Sequence, residues 1–424
     1  MPRFLSALAL TLAFSLPAAA APPNIILIVG DDQGWGDYGF MGHEHVRTPH
    51  LDRLAAAGRT FTHGYVPSSL CRPSLATMIT GLFPHQHKIT CNDPPLPRGP
   101  QFQKLRGEMV AYIEKVPTLP RLLEKHGYAS FQAGKWWEGN ACRCGGFTEG
   151  MTHGEPDKNG RHGDEGLTIG RQGLKPVFDF LDKAKKDDKP VFLWYAPMMP
   201  HSPHNPPDRL LAKYKDKTPS LHVAKYWAMC EWFDETVGDL LKKLADNGQA
   251  KDAVVIYLHD NGWIQDPNSP NYAPKSKRSP YDGGLRTPII VNGFPKVTPG
   301  RVSELASSID VAPTILAACG IEKPADMPGI SLLDAKAVQG RKAVFGEVFE
   351  HNAIDIHSPA ANLQYRWVVS GGWKLIVPKA PNVKGEAELY HVAVDPREER
   401  NVAKVNADKV AELGKMLDAW WTPK

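Results

Sequence analysis

The feature that most constrains the fold is Asn24-Ile25-Ile26-Leu27-Ile28-Val29, where five apolar residues follow one another without a polar alternate. A strand with one wet face alternates between apolar and polar. A continuous run is instead buried on both faces, as in a parallel sheet covered by helices. Further strands are predicted at 60–66, 129–134, 191–196, 253–259 and 289–291. Helices are predicted at 49–57 (closed by Gly58), 119–126, 177–185, 221–247 and 310–318, and a proline-rich loop at 92–101. In 221–247, Val223, Trp227, Cys230, Phe233, Val237, Leu240 and Leu244 recur at helical spacing and read as core. The alternation predicts an α/β fold, a mainly parallel sheet sandwiched by helices. After residue 334 the pattern changes: 343–349, 365–370 and 373–377 alternate like antiparallel strands, and 410–420 closes as a helix. The expected organisation is an export signal at 1–21, a catalytic domain at 22–334 and a small C-terminal α+β subdomain at 335–424.

Polar residues gather just past the predicted strands. Asp31 and Asp32 follow the first, Lys135 the strand at 129–134, His201 the strand at 191–196, and Asp260 with Asn261 the strand at 253–259. In open α/β sheets that edge is where ligands bind. Adjacent acids there lie either in a solvated turn or around a hard cation with oxygen ligands. Asp31, Asp32, Asp260 and Asn261 together suit Ca²⁺ or Mg²⁺. Cys71 opens a predicted helix with Pro73 in its first turn and Gly81 at its end. That position favours an anion and is expected to lower the thiol pKa.

The segment Cys71-Arg72-Pro73-Ser74, followed by Thr80-Gly81-Leu82-Phe83-Pro84-His85, resembles the signature of the type I, formylglycine-dependent sulfatases of the alkaline-phosphatase-like superfamily. The resemblance extends to Lys277 ahead of Tyr281-Asp282-Gly283-Gly284, to His201 in Pro-His-x-Pro, and to Glu388-Leu389-Tyr390 and Asp395-Pro396 near the end. It implies a sulfuric ester hydrolase in which a maturation enzyme oxidises Cys71 to an aldehyde. The aldehyde hydrate is then the nucleophile and, with Asp31, Asp32, Asp260 and Asn261, a ligand of Ca²⁺. Lys135 and Lys277 are implied to face the sulfate oxygens, and His201 to protonate the leaving alcohol. Two positions depart from the family: Leu75 stands where it has Arg, and Trp137 where it has His. Arg72 is a candidate replacement guanidinium, Trp137 a candidate platform for a sugar or aryl ring, and His204 a candidate rim residue.

The formal net charge is +4, one less without Arg3, and no Lys/Arg run looks like an anchoring patch. Nucleic acid is therefore not an expected partner. Arg3, the apolar run at 4–16 and Pro17-Ala18-Ala19-Ala20-Ala21 read as a secretory signal, too short to span a membrane stably. A secreted or periplasmic protein acting on a small or glycan sulfate ester is expected. Of the six cysteines, Cys91 with Cys142 or Cys144 is the expected disulfide, and Cys142-x-Cys144 lacks zinc-ligand spacing. Two rival readings remain: a phosphomonoesterase or phosphodiesterase on the same fold, and a non-catalytic binder of sulfated glycans.

Overall fold

A computed structural model describes residues 21–154, 160–293 and 297–424. The predicted export signal lies outside the described residues except for Ala21. Eight strands form the main sheet: β1 (Asn24–Gly30), β2 (Arg59–Tyr65), β3 (Ala129–Gly134), β4 (Glu149–Gly150), β5 (Val191–Ala196), β6 (Ala253–His259), β7 (Arg286–Asn292) and β8 (Gly300–Ser307). Their order is β4-β3-β5-β1-β6-β7-β2-β8. β1 runs parallel to both β5 and β6, whereas β7 is antiparallel to β6 and β2.

The double burial read from β1 is visible residue by residue. Ile25, Leu27 and Val29 enter one core, with Phe192, Trp194, Val254, Ile256 and Leu258. Ile26 and Ile28 enter the other, with Leu193, Tyr195, Val255 and Tyr257. The helix Leu221–Asp246 supplies Met229, Phe233, Val237, Leu240 and Leu244 to the second core. The helix Cys71–Thr80 lies against the first and stops at Gly81, whose φ of 67° suits a residue without Cβ. Each full burial of an aliphatic or aromatic side chain of this kind contributes about 1.5–3 kcal/mol.

A second sheet, antiparallel, follows in the order β12-β11-β10-β9 from β9 (Ala343–Phe349), β10 (Leu363–Ser370), β11 (Trp373–Pro378) and β12 (Glu388–Tyr390). Val344, Val348, Trp367 and Ile376 join the first core, so this sheet extends it. Its other face packs under the helix Ala407–Trp420 through Leu413 and Leu417.

Three expectations are corrected. The loop predicted at 92–101 holds as far as Gly99, but an unpredicted helix, Pro100–Val110, follows and turns Phe102, Arg106 and Met109 inward. The buried position taken by an arginine hid the apolar periodicity. Edge strand β8 also escaped prediction, because residues 300–305 are exposed or half-buried and Arg301, Ser303 and Glu304 interrupt its apolar residues. All six cysteines are unpaired. Cys91 packs with Met109, Phe349 and Leu363 and Cys144 belongs to the first core, while Cys142 is exposed, so neither expected disulfide forms.

Candidate active site

The carboxyl ends of β1, β3 and β6 meet the first turn of the helix Cys71–Thr80. β1 delivers Asp31 and Asp32, both buried. Asp32 sits at φ 60°, a left-handed conformation that costs energy for a residue with Cβ and that clusters at functional sites. β3 delivers Lys135, whose Nζ donates to Asp31 Oδ1 at 2.8 Å. β6 delivers Asp260 and Asn261, and Asp260 Oδ1 accepts from the backbone N–H groups of Asn261 (2.7 Å) and Asp32 (3.2 Å). Lys277 Nζ reaches Asp32 Oδ1 at 2.5 Å and Cys71 Sγ at 3.1 Å. Its loop is kinked on either side, Lys275 and Arg278 having φ near 60°. Cys71 Sγ lies 3.5 Å from Asn261 Oδ1. His201 Nδ1 faces Ser202 O at 2.7 Å and must donate to it, which leaves Nε2 aimed at Asp32 Oδ2 at 3.3 Å.

The site holds more negative charge than its own cations answer. One oxygen each of Asp31, Asp32 and Asp260 is buried without accepting a hydrogen bond, although Lys135 Nζ stands 2.8 Å from that of Asp31. Ligand atoms of Asp31, Asp32 and Cys71 lie within 4.8 Å of one another. Unanswered carboxylate oxygens converging beside a thiol form a donor set that fits a hard divalent cation. Burial opposes charge on Asp32, yet Lys277, His201 and Lys135 together hold its carboxyl well below the usual range. Asp260 moves the other way, raised by burial and by Asp31. Burial works against the charge of Lys135 and Lys277, but Asp31 and Asp32 respectively more than offset it, so both remain ammonium ions. Burial pulls His201 below its ordinary value against the acids beside it.

The expectation of an activated thiol is corrected. Burial pushes Cys71 up to about 12, with Lys135 and Lys277 opposing and Asp260 and Asp32 adding to the rise. Unmodified, it is a poor nucleophile at neutral pH. Arg72 is also corrected as a substrate ligand. Its guanidinium turns away from the centre and is consumed by Glu138 (2.7 Å to each oxygen) and by the carbonyls of Cys91 and Met109. Leu75 is 4 % exposed, within the first core. Trp137 is buried beneath Arg161 (4.5 Å) and beside His162 (4.9 Å), so it is packed rather than presented as an open platform. His204 is half-buried between Tyr226 and Trp263, and burial together with His201 brings it down to about 4. Sequence reading assigned no role to Glu138, Arg106 or His162. Glu138 was the most legible of these, since it ends the Lys135-Trp136-Trp137-Glu138 run past a strand.

The acids and Lys135 past the strand ends, with Lys277 from a loop, face a cysteine at a helix start, on a sheet whose solved neighbours share the alkaline-phosphatase-like class of fold. Within that class the chain belongs to the sulfatase family: the family model "Sulfatase" matches residues 23–321. A second model, "N-sulphoglucosamine sulphohydrolase, C-terminal", matches residues 272–420. Human arylsulfatase A is 30% identical over 360 residues, covering 74% of this chain and 67% of the relative. N-acetylgalactosamine-6-sulfatase of Canis lupus familiaris is 29% identical over 365 residues, covering 76% and 68%. Among solved structures, Ps i-CgsB in complex with k-i-k-neocarrahexaose superposes with a TM-score of 0.76 at 23% identity, covering 94% of this chain and 93% of that one. A structure solved with its substrate D-glucosamine-2-N,6-O-disulfate gives 0.76 at 20% identity, covering 94% and 97%. The enzyme is thus a sulfatase.

Proposed function

We propose that this sulfatase is exported and releases sulfate from a sulfated carbohydrate, with Cys71 oxidised to formylglycine and Ca²⁺ held by Asp31, Asp32, Asp260 and Asn261. The observation that carries the reading is the set of three buried carboxylate oxygens that accept no hydrogen bond, on acids gathered around a cysteine that two lysines also face. Relatives named for sugar sulfates, and neighbours solved with a carrageenan-type oligosaccharide and a glucosamine disulfate, support the substrate class. When present, the oxidised side chain supplies an oxygen nucleophile, and the cation lowers that oxygen's pKa and offsets sulfate charge.

The remaining work falls to the chain's own residues. Lys135 and Lys277 hold two ammonium groups beside residue 71, fixed before substrate arrives, where sulfate oxygens would lie and gain charge. His201, its Nδ1 committed to Ser202 O, can hold or give a proton only at Nε2, the atom that faces the centre. It serves the leaving alcohol there, help worth about 10²–10⁴ in rate. The test is the mass of the peptide carrying residue 71 from protein made in its native host, together with sulfate release from sulfated sugars. A peptide lighter by the exchange of CH₂SH for CHO is expected. An intact thiol that alkylates fully would overturn the mechanism and favour a glycan-binding role.

A further inference from the structure

Past the Lys135-Trp136-Trp137-Glu138 run lies a cavity of about 370 Å³ that none of the chemistry above uses, and His162 on its wall lies within reach of the charges of Lys135 and His201. Exposed Arg98, Arg143 and Glu114 stand at its rim, and Arg106, Arg161 and His162 line it deeper. Among the described residues it therefore presents four guanidinium groups and one carboxylate. Two of the four are answered within the fold: Arg161 pairs with Asp93 at 2.7 Å and Arg143 with Glu114 at 3.3 Å.

Arg106 is not answered. It is 7 % exposed and has no carboxylate partner among the described residues. Its bonds go to three backbone carbonyls, those of Asn92 (2.8 Å), Trp137 (2.5 Å) and Arg161 (2.8 Å). A guanidinium has five N–H donors in a planar fork, so these three bonds leave others for the cavity. Burial, with Arg72 and Arg161 close by, draws Arg106 down to about 9 against the opposing pull of Glu138 and Asp93, carboxylates that are themselves engaged by Arg72 and Arg161. His162 adds a buried Nδ1 with no partner. A charge removed from water is costly until an opposite charge meets it. A guanidinium fork is matched by a carboxylate or a sulfate through paired hydrogen bonds.

The cavity adjoins the catalytic loop. Trp136 N–H donates to His162 O at 3.1 Å, Arg106 bonds the carbonyl of Trp137, and the Trp137 ring packs between Arg161 and His162. One residue earlier, Lys135 faces the metal-binding acids. We infer that this cavity is a second anion subsite, built on Arg106, which selects sulfated sugars that carry a further acidic group, a carboxylate or a second sulfate, besides the ester that is cleaved. This inference rests on the sulfate-ester reading above. It departs from the expectation for Trp137, whose ring packs against Arg161 and His162 instead of lying open to a sugar.

Three disaccharide probes test it: one monosulfated and otherwise neutral, one monosulfated with a uronate carboxylate, and one disulfated. Each is assayed for sulfate release by the wild type, by Arg106→Lys and by Arg98→Ser, with thermal melts to verify folding. Arg98→Ser alters a rim residue that makes no bond within the described fold. For the wild type, kcat/KM should favour at least one acidic probe over the neutral one by about tenfold, mostly through KM, on the scale of one charge-assisted hydrogen bond. Which acidic probe gains identifies the anion. Arg106→Lys should bring that ratio towards one, and Arg98→Ser should lower it partway. A wild-type ratio near one, or equal losses on all three probes in Arg106→Lys, overturns the subsite. If no probe releases sulfate, the reaction reading fails separately, and calorimetric binding of the same probes decides the subsite. Tighter binding of an acidic probe that Arg106→Lys abolishes supports it; equal affinity for all three overturns it.

Discussion

Two buried ionic clusters lie on either side of the loop that carries Lys277, and they are built on opposite terms. At the strand ends, Asp31, Asp32 and Asp260 face Lys135, Lys277 and, at 3.3 Å from Asp32, His201, and three carboxylate oxygens go without a hydrogen bond. Under the second sheet, Asp282 and Glu398 face Lys374 and Arg286. Lys374 Nζ lies 2.8 Å from Asp282 and 2.9 Å from Glu398, and Arg286 lies 3.8 Å from Asp282. Glu398 also accepts the Asp282 N–H at 2.6 Å, and Tyr65 OH donates to Asp282 at 3.2 Å. The second cluster sets two cations against two acids and joins β11 to the segment that follows Lys277. The first leaves three carboxylate oxygens without a hydrogen bond, and on the proposed reading a divalent cation completes it.

The largest expected effect breaks the first cluster. Asp260→Asn should lower the rate of sulfate release by about 10²–10³-fold, as losing a preorganised charge does. In chelator-treated buffer the same change should raise the melting temperature, because burial and Asp31 disfavour ionisation of Asp260 in the fold while the unfolded chain ionises it freely. Calcium at a hundred times its dissociation constant should stabilise the wild type by about 2.7 kcal/mol and the variant much less. A variant less stable in chelator would mean that the two clusters do not differ as described.

Of similar size is Lys374→Met, which leaves Glu398 without its cation and Asp282 with only the more distant Arg286. Urea unfolding should show a loss of about 3–5 kcal/mol, with the calcium increment kept. Loss of that increment would merge the two clusters into one functional unit.

The smallest effect concerns a satisfied group beside the centre. His87 accepts the Ile89 N–H at Nδ1 (3.0 Å) and meets Thr77 Oγ1 with Nε2 (3.3 Å), and burial, with His85 and Arg72 adding, holds it well below its ordinary 6.5. Below that pH the unfolded chain takes up a proton that the native protein refuses. Stability should therefore fall as pH drops, by up to about 1.4 kcal/mol per unit for this residue. His87→Gln should flatten the slope of unfolding free energy between pH 6.5 and 5, and an unchanged slope would assign the acid sensitivity elsewhere.

The sheet was legible because burial on both faces leaves an unbroken apolar run, and Ile25 to Val29 show that run directly. The strand-end acids and lysines were legible for a related reason: polar residues straight after such runs have a restricted set of uses. The interior polar structure was not legible. Arg72 and Arg106 look like surface residues in sequence, and only the fold shows Glu138 meeting one and backbone carbonyls the other. Nor could sequence position reveal that burial would outweigh the helix terminus and two lysines at Cys71.

Cys71 is 2 % exposed, and the carbonyl of Pro67, four residues before it, is capped by Trp367 Nε1 (3.2 Å) and the Glu347 N–H (2.9 Å) from the second sheet. On the reading that a separate enzyme converts Cys71, that enzyme must act before the last strands dock. Trp367 leaves the ribosome roughly 300 residues after Cys71, so at 5–20 residues per second the opening lasts about 15–60 s. Maturation and folding then run as competing clocks. A substitution that hastens closure of the second sheet would yield more folded protein and a smaller active fraction.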